Sequence, residues 1–367
     1  MGLMQMAKTI LSFEKNRLER KLHIAGTPDY YSLAVTFRCN SHCATCGIWN
    51  SKPEPELNTE TWARFFKDKL VRKAKGIEIT GGEPTLRSDL PDIIASAYEN
   101  CLKAEVRIGT NCILPDRAIE LADTFKRKGI YFSVSLDGIG ELHDQIRGVE
   151  GNYEKVMQVI NYVQQLRSEG YPTGVGASIC VSILNVTKIP ELTNLLDKLQ
   201  VPYQLTPYLK TVYGHFSSSR LRPDELDFIT EERKAKAIET FSRYNRATYR
   251  VFIKYWKGED YPKPPCYVLT KGAVAIRPNG DIPICMYWDR QYILGNIANE
   301  TLSEIWKSPH VNQLRERFHN CRECASYNFN MCDNLNNYCF HGWAYRDTLL
   351  MRKNASLGKL LARSLLS

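Results

Sequence analysis

Three cysteines share one short stretch, CNSHCATC, as Cys39, Cys43 and Cys46. Thiolates at that spacing can each take one iron of a cubane cluster and leave the fourth iron without a protein ligand. A structural zinc site needs four ligands. His42 could supply a fourth, but it lies inside the same loop, where its reach is awkward. The open corner is the chemically useful feature. A second group follows far downstream: Cys266, Cys285, Cys321 and Cys324, then Cys332 and Cys339. Two single cysteines and the pair in CREC make a four-thiolate site suited to zinc or to an iron–sulfur cluster, and spacing does not separate these metals. Cys101, Cys112 and Cys180 are scattered and read first as buried thiols.

The rest of the composition says where such chemistry would operate. Of 367 residues, 43% are hydrophobic, enough for one large domain and a smaller one. The net charge of +9 permits an anionic partner or a membrane surface. Lys and Arg are dispersed, so no nucleic-acid partner is expected. No signal-peptide core follows the N-terminus, and no run reaches the ~20 apolar residues of a membrane span. The expectation is a cytoplasmic protein, where clustered cysteines read as metal ligands rather than disulfides.

Short β-rich runs alternate with helical stripes from residue 30 onward. The strands are expected at 30–37, 76–80, 104–110, 131–136, 174–183 and 202–206. Between them Trp62, Phe65, Phe66 and Leu70 share a face, as do Val156, Val159, Ile160 and Val163, and Leu192, Leu195, Leu196 and Leu199. Gly129 and Gly170 stand where left-handed helix caps belong, and Asn152 is placed to cap a helix. Six strand–helix units in series imply an α/β fold with a parallel sheet, closed or partly closed like a barrel. Chemistry in such sheets gathers at the carboxyl ends of the strands. The first cysteine cluster follows strand one, Gly81, Gly82, Glu83 and Pro84 follow strand two, Thr110 and Asn111 end strand three, Ser135 and Asp137 end strand four, and Asn185 follows strand five. Polar residues thus collect at one rim.

After residue 207 the alternation stops. The division reads as an N-terminal helix (1–29), the α/β core (30–210), a long helical bridge (211–260), a cysteine-rich domain (261–342) entered through YPKPPC, and a basic amphipathic helix (343–367). The terminal helices could touch a membrane surface or simply pack on the protein.

With the rim in view, the chain resembles the radical S-adenosylmethionine (SAM) superfamily over about residues 30–210. That family carries C-x3-C-x2-C after the first strand of a partial (β/α)6 barrel. The resemblance implies a [4Fe–4S] cluster on Cys39, Cys43 and Cys46 whose open iron is chelated by SAM, with reductive cleavage of SAM to a 5′-deoxyadenosyl radical. It also implies that Gly81, Gly82, Glu83 and Pro84 hold the SAM amino group, that Ser135 and Arg147 bind its ribose and carboxylate, and that Asn111 lies at the position of a family TNG, with Cys112 in place of the glycine. The residue before the third cysteine, usually aromatic, is Thr45 here; Ile48 or Trp49 could take over its contact with adenine. C-x13-G-x4-C from Cys266 to Cys285, followed by CREC, resembles the SPASM or twitch extension and implies at least one auxiliary [4Fe–4S] cluster on Cys266, Cys285, Cys321 and Cys324. The later gaps depart from the full pattern, which leaves Cys332 and Cys339 as further ligands or as structural thiols.

The resemblance further implies a reductant such as flavodoxin or ferredoxin, and a net oxidation or epimerisation. Met286 stands where sulfatase-maturing relatives carry an aspartate. Only 38 residues precede Cys39, so a small-molecule or lipid-linked substrate is expected before a peptide recognised through a separate protein. Tyr287, Asp289 and Cys180 are candidate acid–base or hydrogen-donor groups. A non-catalytic metal-binding scaffold is the alternative of another class.

Overall fold

The computed structural model describes residues 18, 26–52, 54–208, 221–259, 273–284 and 291–318. Six strands alternate with helices: β1 (Tyr30–Thr36), β2 (Gly76–Gly81), β3 (Glu105–Thr110), β4 (Tyr131–Ser135), β5 (Gly174–Val181) and β6 (Tyr203–Pro207). Side chains alternate across each strand. Leu33 and Val35, Ile77 and Ile79, and Phe132 and Val134 are buried under the helices. The intervening positions, among them Glu78, Ser133 and Ser178, line cavities inside the curved sheet. The helices thus bury one face of the sheet, while the inner face is only partly covered and opens onto these cavities.

The covering helices are α1 (Thr59–Phe66), α2 (Leu90–Asn100), α3 (Pro115–Thr124), α4 (Glu141–Arg147), α5 (Asn152–Ser168) and α6 (Ile189–Lys198). In α1 the stripe Trp62, Phe65 and Phe66 is buried, and Asn58 caps the helix by accepting from the Thr61 N–H at 3.0 Å. Gly129 and Gly170 have φ of +83° and +90°, the left-handed cap conformation expected of them. Asn152 does not cap α5: Gly151 occupies the cap position and Asn152 is the first helical residue, its amide committed to the rim network described below.

The bridge is not one long helix. Within it lie a short α7 (Pro223–Leu226), α8 (Glu231–Ser242) and α9 (Ala247–Trp256). In an unbroken helix Phe241 and Trp256 would stand ~22 Å apart. The break lets α9 fold back, so that Phe241 meets Trp256 at 5.3 Å and Tyr249 at 5.1 Å between ring centroids.

The first described strand of the cysteine-rich region belongs to the barrel sheet. Strand β7 (Ala273–Ile276) lies parallel to β1, giving a seven-stranded parallel sheet of order β6-β5-β4-β3-β2-β1-β7 that stays open. An antiparallel pair follows, β8 (Asp281–Pro283) with β9 (Ile293–Asn296), then α10 (Leu302–Lys307) and α11 (Pro309–Phe318). Asp68, just beyond α1, accepts from Ser303 N–H at 2.8 Å and Ser303 hydroxyl at 2.7 Å at the start of α10. Arg64 donates to the Ile297 and Ala298 carbonyls at 2.9 and 2.6 Å.

The terminal-helix positions 1–17, 19–25 and 343–367 lie outside the described residues, as do Cys266, Cys285, Cys321, Cys324, Cys332, Cys339, Tyr287 and Asp289. Among the described residues no helix is long and apolar enough to cross a membrane.

Asp68 is buried, so removing its carboxylate strands donors of α10 without water. Asp68→Ala is expected to cost about 2–3 kcal/mol in urea unfolding, whereas Glu60→Ala on the same helix's first turn should cost a few tenths.

Candidate functional site

The cysteine loop leaves β1 and is gripped from two sides. On one side, Gly82 N–H donates to Thr36 O at 2.7 Å and Glu83 N–H to Arg38 O at 2.8 Å. A Cβ on Gly81 would stand 2.0 Å from Thr36 O, and one on Gly82 would stand 2.1 Å from Arg38 O. Only glycine lets the end of β2 lie this close to the loop. On the other side, the last carbonyls of α4 are capped by the loop itself: Ala44 N–H donates to Ile146 O at 2.7 Å and His42 N–H to Arg147 O at 3.1 Å. Trp49 Nε1 closes the loop's far end on Cys46 O at 2.8 Å.

Glu83 lies behind this loop, with no exposed surface. Its Oε1 accepts from Thr85 N–H (3.2 Å), Thr85 Oγ1 (2.7 Å) and Thr110 Oγ1 (2.8 Å), and its Oε2 accepts from Asn111 N–H at 2.7 Å. Burial pushes its carboxyl pKa up, and these hydrogen bonds oppose that. The carboxylate therefore ties the end of β2 to the end of β3, with three donors on Oε1 and one on Oε2. Asn111 donates to Asn40 Oδ1 at 2.9 Å, and Asn152 donates to Asn111 O at 2.9 Å. Asn152 Oδ1 lies 3.0 Å from His143 Nε2, while Asp137 N–H donates to His143 Nδ1 at 3.1 Å. His143 is thus the neutral tautomer with its proton on Nε2, and burial lowers its pKa to about 4. Asp137 Oδ1 accepts from Cys180 N–H at 2.7 Å, joining β4 to β5. Cys112 has φ of +56°, a conformation glycine adopts freely, so the cysteine carries backbone strain that a glycine would not.

These elements enclose a cavity of about 220 Å³ lined by all three loop cysteines and by Gly81, Gly82, Asn111, Ser135, Arg147, Ile48 and Trp49. Pro84, like Glu83, is buried behind its wall. Thr45 is buried too, hydrogen-bonded to the Cys180 thiol, which burial pushes up to about 12. Neither residue is part of the lining. Arg147 Nη1 donates to Cys43 Sγ at 3.3 Å. Its Nε forms a buried ion pair with Asp137 Oδ2 at 3.0 Å. Burial works against the guanidinium charge, and Asp137 and Cys43 outweigh it. Burial pushes the Cys39 thiol up to about 11, and raises Cys46 as well.

Among the described residues no three His, Cys, Asp or Glu side chains converge closely enough for one metal ion. Zinc needs that convergence, with sulfurs about 2.3 Å from a single centre; a polynuclear cluster takes one thiol per corner. Three thiols and a guanidinium on one cavity fit a cluster with a charged organic ligand against it. His143 and Asn152 join the rim network without any spacing signal in the sequence, because their hydrogen bonds run between separate segments of the chain.

A radical SAM superfamily model matches residues 33–189, and a SPASM iron–sulfur cluster-binding domain model matches residues 266–325. A probable GTP 3′,8-cyclase of Archaeoglobus fulgidus is 37% identical over 226 residues, 58% of this chain and 72% of that protein. The chain belongs to the radical SAM superfamily. As a radical SAM enzyme with a SPASM domain it uses SAM, a [4Fe–4S] cluster and an external reductant, with auxiliary iron–sulfur clusters in the SPASM domain. The Fe-coproporphyrin III synthase of Methanosarcina barkeri is 29% identical over 300 residues, 74% of this chain and 72% of that one. The fold is that of Streptococcus suis SuiB, solved with SAM (TM-score 0.58, 15% identity, 86% of this chain and 79% of SuiB) and with its precursor peptide SuiA.

The unfolded His143 imidazole takes a proton below about pH 6.5, whereas the folded one resists to about 4. Stability is therefore undiminished above pH 6.5 and falls as the pH drops toward 4, by about 3 kcal/mol. Urea unfolding of iron-free protein across that range should show the loss, and His143→Gln should flatten it.

Proposed function

We propose that Cys39, Cys43 and Cys46 each bind one iron of a [4Fe–4S] cluster, and that SAM fills the adjoining cavity and completes the fourth iron. The observation that carries this reading is the single cavity shared by the three thiols and the rim residues Gly81, Gly82, Asn111, Ser135 and Arg147. The SAM amino group would meet the backbone of Gly81 and Gly82, since the Glu83 carboxylate is spent on β2 and β3. Its carboxylate would take the Arg147 guanidinium, which lines the cavity and is held there by Asp137, and its ribose would meet Ser135. Ile48 and Trp49, both lining the cavity, would supply the apolar wall for adenine in place of Thr45. When bound and reduced by one electron, cluster and SAM together supply the means to take hydrogen from a substrate.

For the reaction, a net oxidation or epimerisation is our reading, with an auxiliary cluster of the SPASM domain as the electron acceptor in the oxidation. A second cavity of about 320 Å³ shares Glu78, Ser133 and Ser178 with the first. Hydroxyl and carboxyl groups thus face the space between the two. That lining favours a polar reacting group over the lipid-linked one expected from the sequence. A peptide substrate is the second reading, supported by the precursor peptide bound to SuiB.

Anaerobic reconstitution followed by dithionite should give 5′-deoxyadenosine from SAM with the wild type. The variant carrying Cys39→Ala, Cys43→Ala and Cys46→Ala should lose about four irons per chain and at least ~100-fold in product, by the scale of removing an essential ligand set. Full product from that variant would sink the assignment.

A further inference from the structure

The three loop sulfurs are not equivalent. Cys39 and Cys46 meet backbone N–H groups, of Ser41 and Ile48. Cys43 alone of the three has two close side-chain partners: Ser41 Oγ at 3.0 Å and Arg147 Nη1 at 3.3 Å. Asn111 Nδ2 lies at the longer distance of 3.9 Å from Cys39. Ser41 is 1% exposed and Cys43 is 5% exposed, so water does not compete for these contacts. The Ser41 hydroxyl donates to Arg147 O at 3.0 Å, in the α4 terminus that the loop caps through His42 and Ala44, so it stays beside Cys43 and its single proton is contested once the sulfur becomes a thiolate.

The chemistry of that arrangement depends on the state of Cys43. As a thiol it can donate to Ser41. As an iron-bound thiolate it only accepts, so the hydroxyl proton swings toward sulfur or is shared with Arg147 O, while the guanidinium keeps donating. Each added electron places more negative charge on the cluster and its sulfurs. Fixed donors on a sulfur therefore stabilise the reduced form more than the oxidised one, and such hydrogen bonds are among the determinants of cluster potential. A charged donor has the larger effect.

We propose that Ser41, acting with Arg147 through hydrogen bonds to Cys43, raises the reduction potential of the SAM-binding cluster. Ser41 is a positioning residue in this scheme: it acts on the ligand sulfur, and its hydroxyl is set in advance by the end of α4. The proposal rests on the cluster assignment of the preceding section and deepens it, giving the loop a role in how readily the electron arrives.

The test uses full-length reconstituted protein without SAM, followed by potentiometric titration read by electron paramagnetic resonance. The loop cluster is distinguished from auxiliary ones by the change in its signal when SAM is added afterwards. Ser41→Val, close in shape to Ser41→Thr, should shift the midpoint to more negative potential at unchanged iron and sulfide content, and Ser41→Thr should restore it. Arg147→Gln should shift it further. An unchanged midpoint in Ser41→Val with full iron content overturns the proposal. The wild type gives a measurement that needs no substitution: transfer to D2O should move the Fe–S stretching bands of the SAM-sensitive cluster in resonance Raman spectra, and bands unmoved by D2O overturn it equally. Loss of the SAM-sensitive signal from wild type would instead refute the cluster assignment itself, which keeps the two failures apart.

Discussion

The structure depends on a backbone contact closer than any side chain would permit. The loop that carries Cys39, Cys43 and Cys46 rests against the end of β2 because Gly81 and Gly82 present no Cβ to the Thr36 and Arg38 carbonyls. Held there, the loop's other side can cap α4, and its own N–H groups satisfy carbonyls that a short helix would otherwise leave bare. The loop has no regular structure of its own, so these two borrowed surfaces are what give the three thiols fixed positions.

Around that contact the rim is built from buried polar groups that answer one another. Glu83 joins β2 to β3, Asn111 and Asn152 join β3 to α5, and His143 and Asp137 carry the chain of contacts on to β5. Each is affordable inside the protein only because its partners are present. Arg147 Nε and Asp137 Oδ2 face each other at 3.0 Å as a buried ion pair, and Arg147 lines the cavity, so the guanidinium is held at the cavity by a partner already in place.

The C-terminal region is coupled to the barrel more closely than a separate domain would be. Strand β7 extends the barrel sheet beside β1, whose far end leads directly into the cysteine loop. Asp68 and Arg64 bind α10 and the β9 turn to the end of α1. A displacement of the SPASM region would therefore be felt in β1, the strand that feeds the site.

Much of this was readable in the chain. Short β-rich runs between helical stripes placed six strands within one or two residues of their ends. The spacing of Cys39, Cys43 and Cys46 suggested the cluster proposed on them, because coordination depends on which atoms a short loop can bring together. Gly129 and Gly170 announced their caps, since left-handed backbone is cheap only for glycine. Tertiary structure decided what no local pattern encodes. Glu83 has a site residue's position in the sequence, but its acceptors are taken by strand ends 27 and 28 residues away. Asn152 looks like a cap and is a rim donor instead. The bridge breaks where Phe241 can meet Trp256, and β7 joins a sheet whose other strands are hundreds of residues earlier in part. Local sequence carries periodicity and ligand spacing; the choice of hydrogen-bond partner among distant segments belongs to the folded chain, because only there are the competing partners side by side.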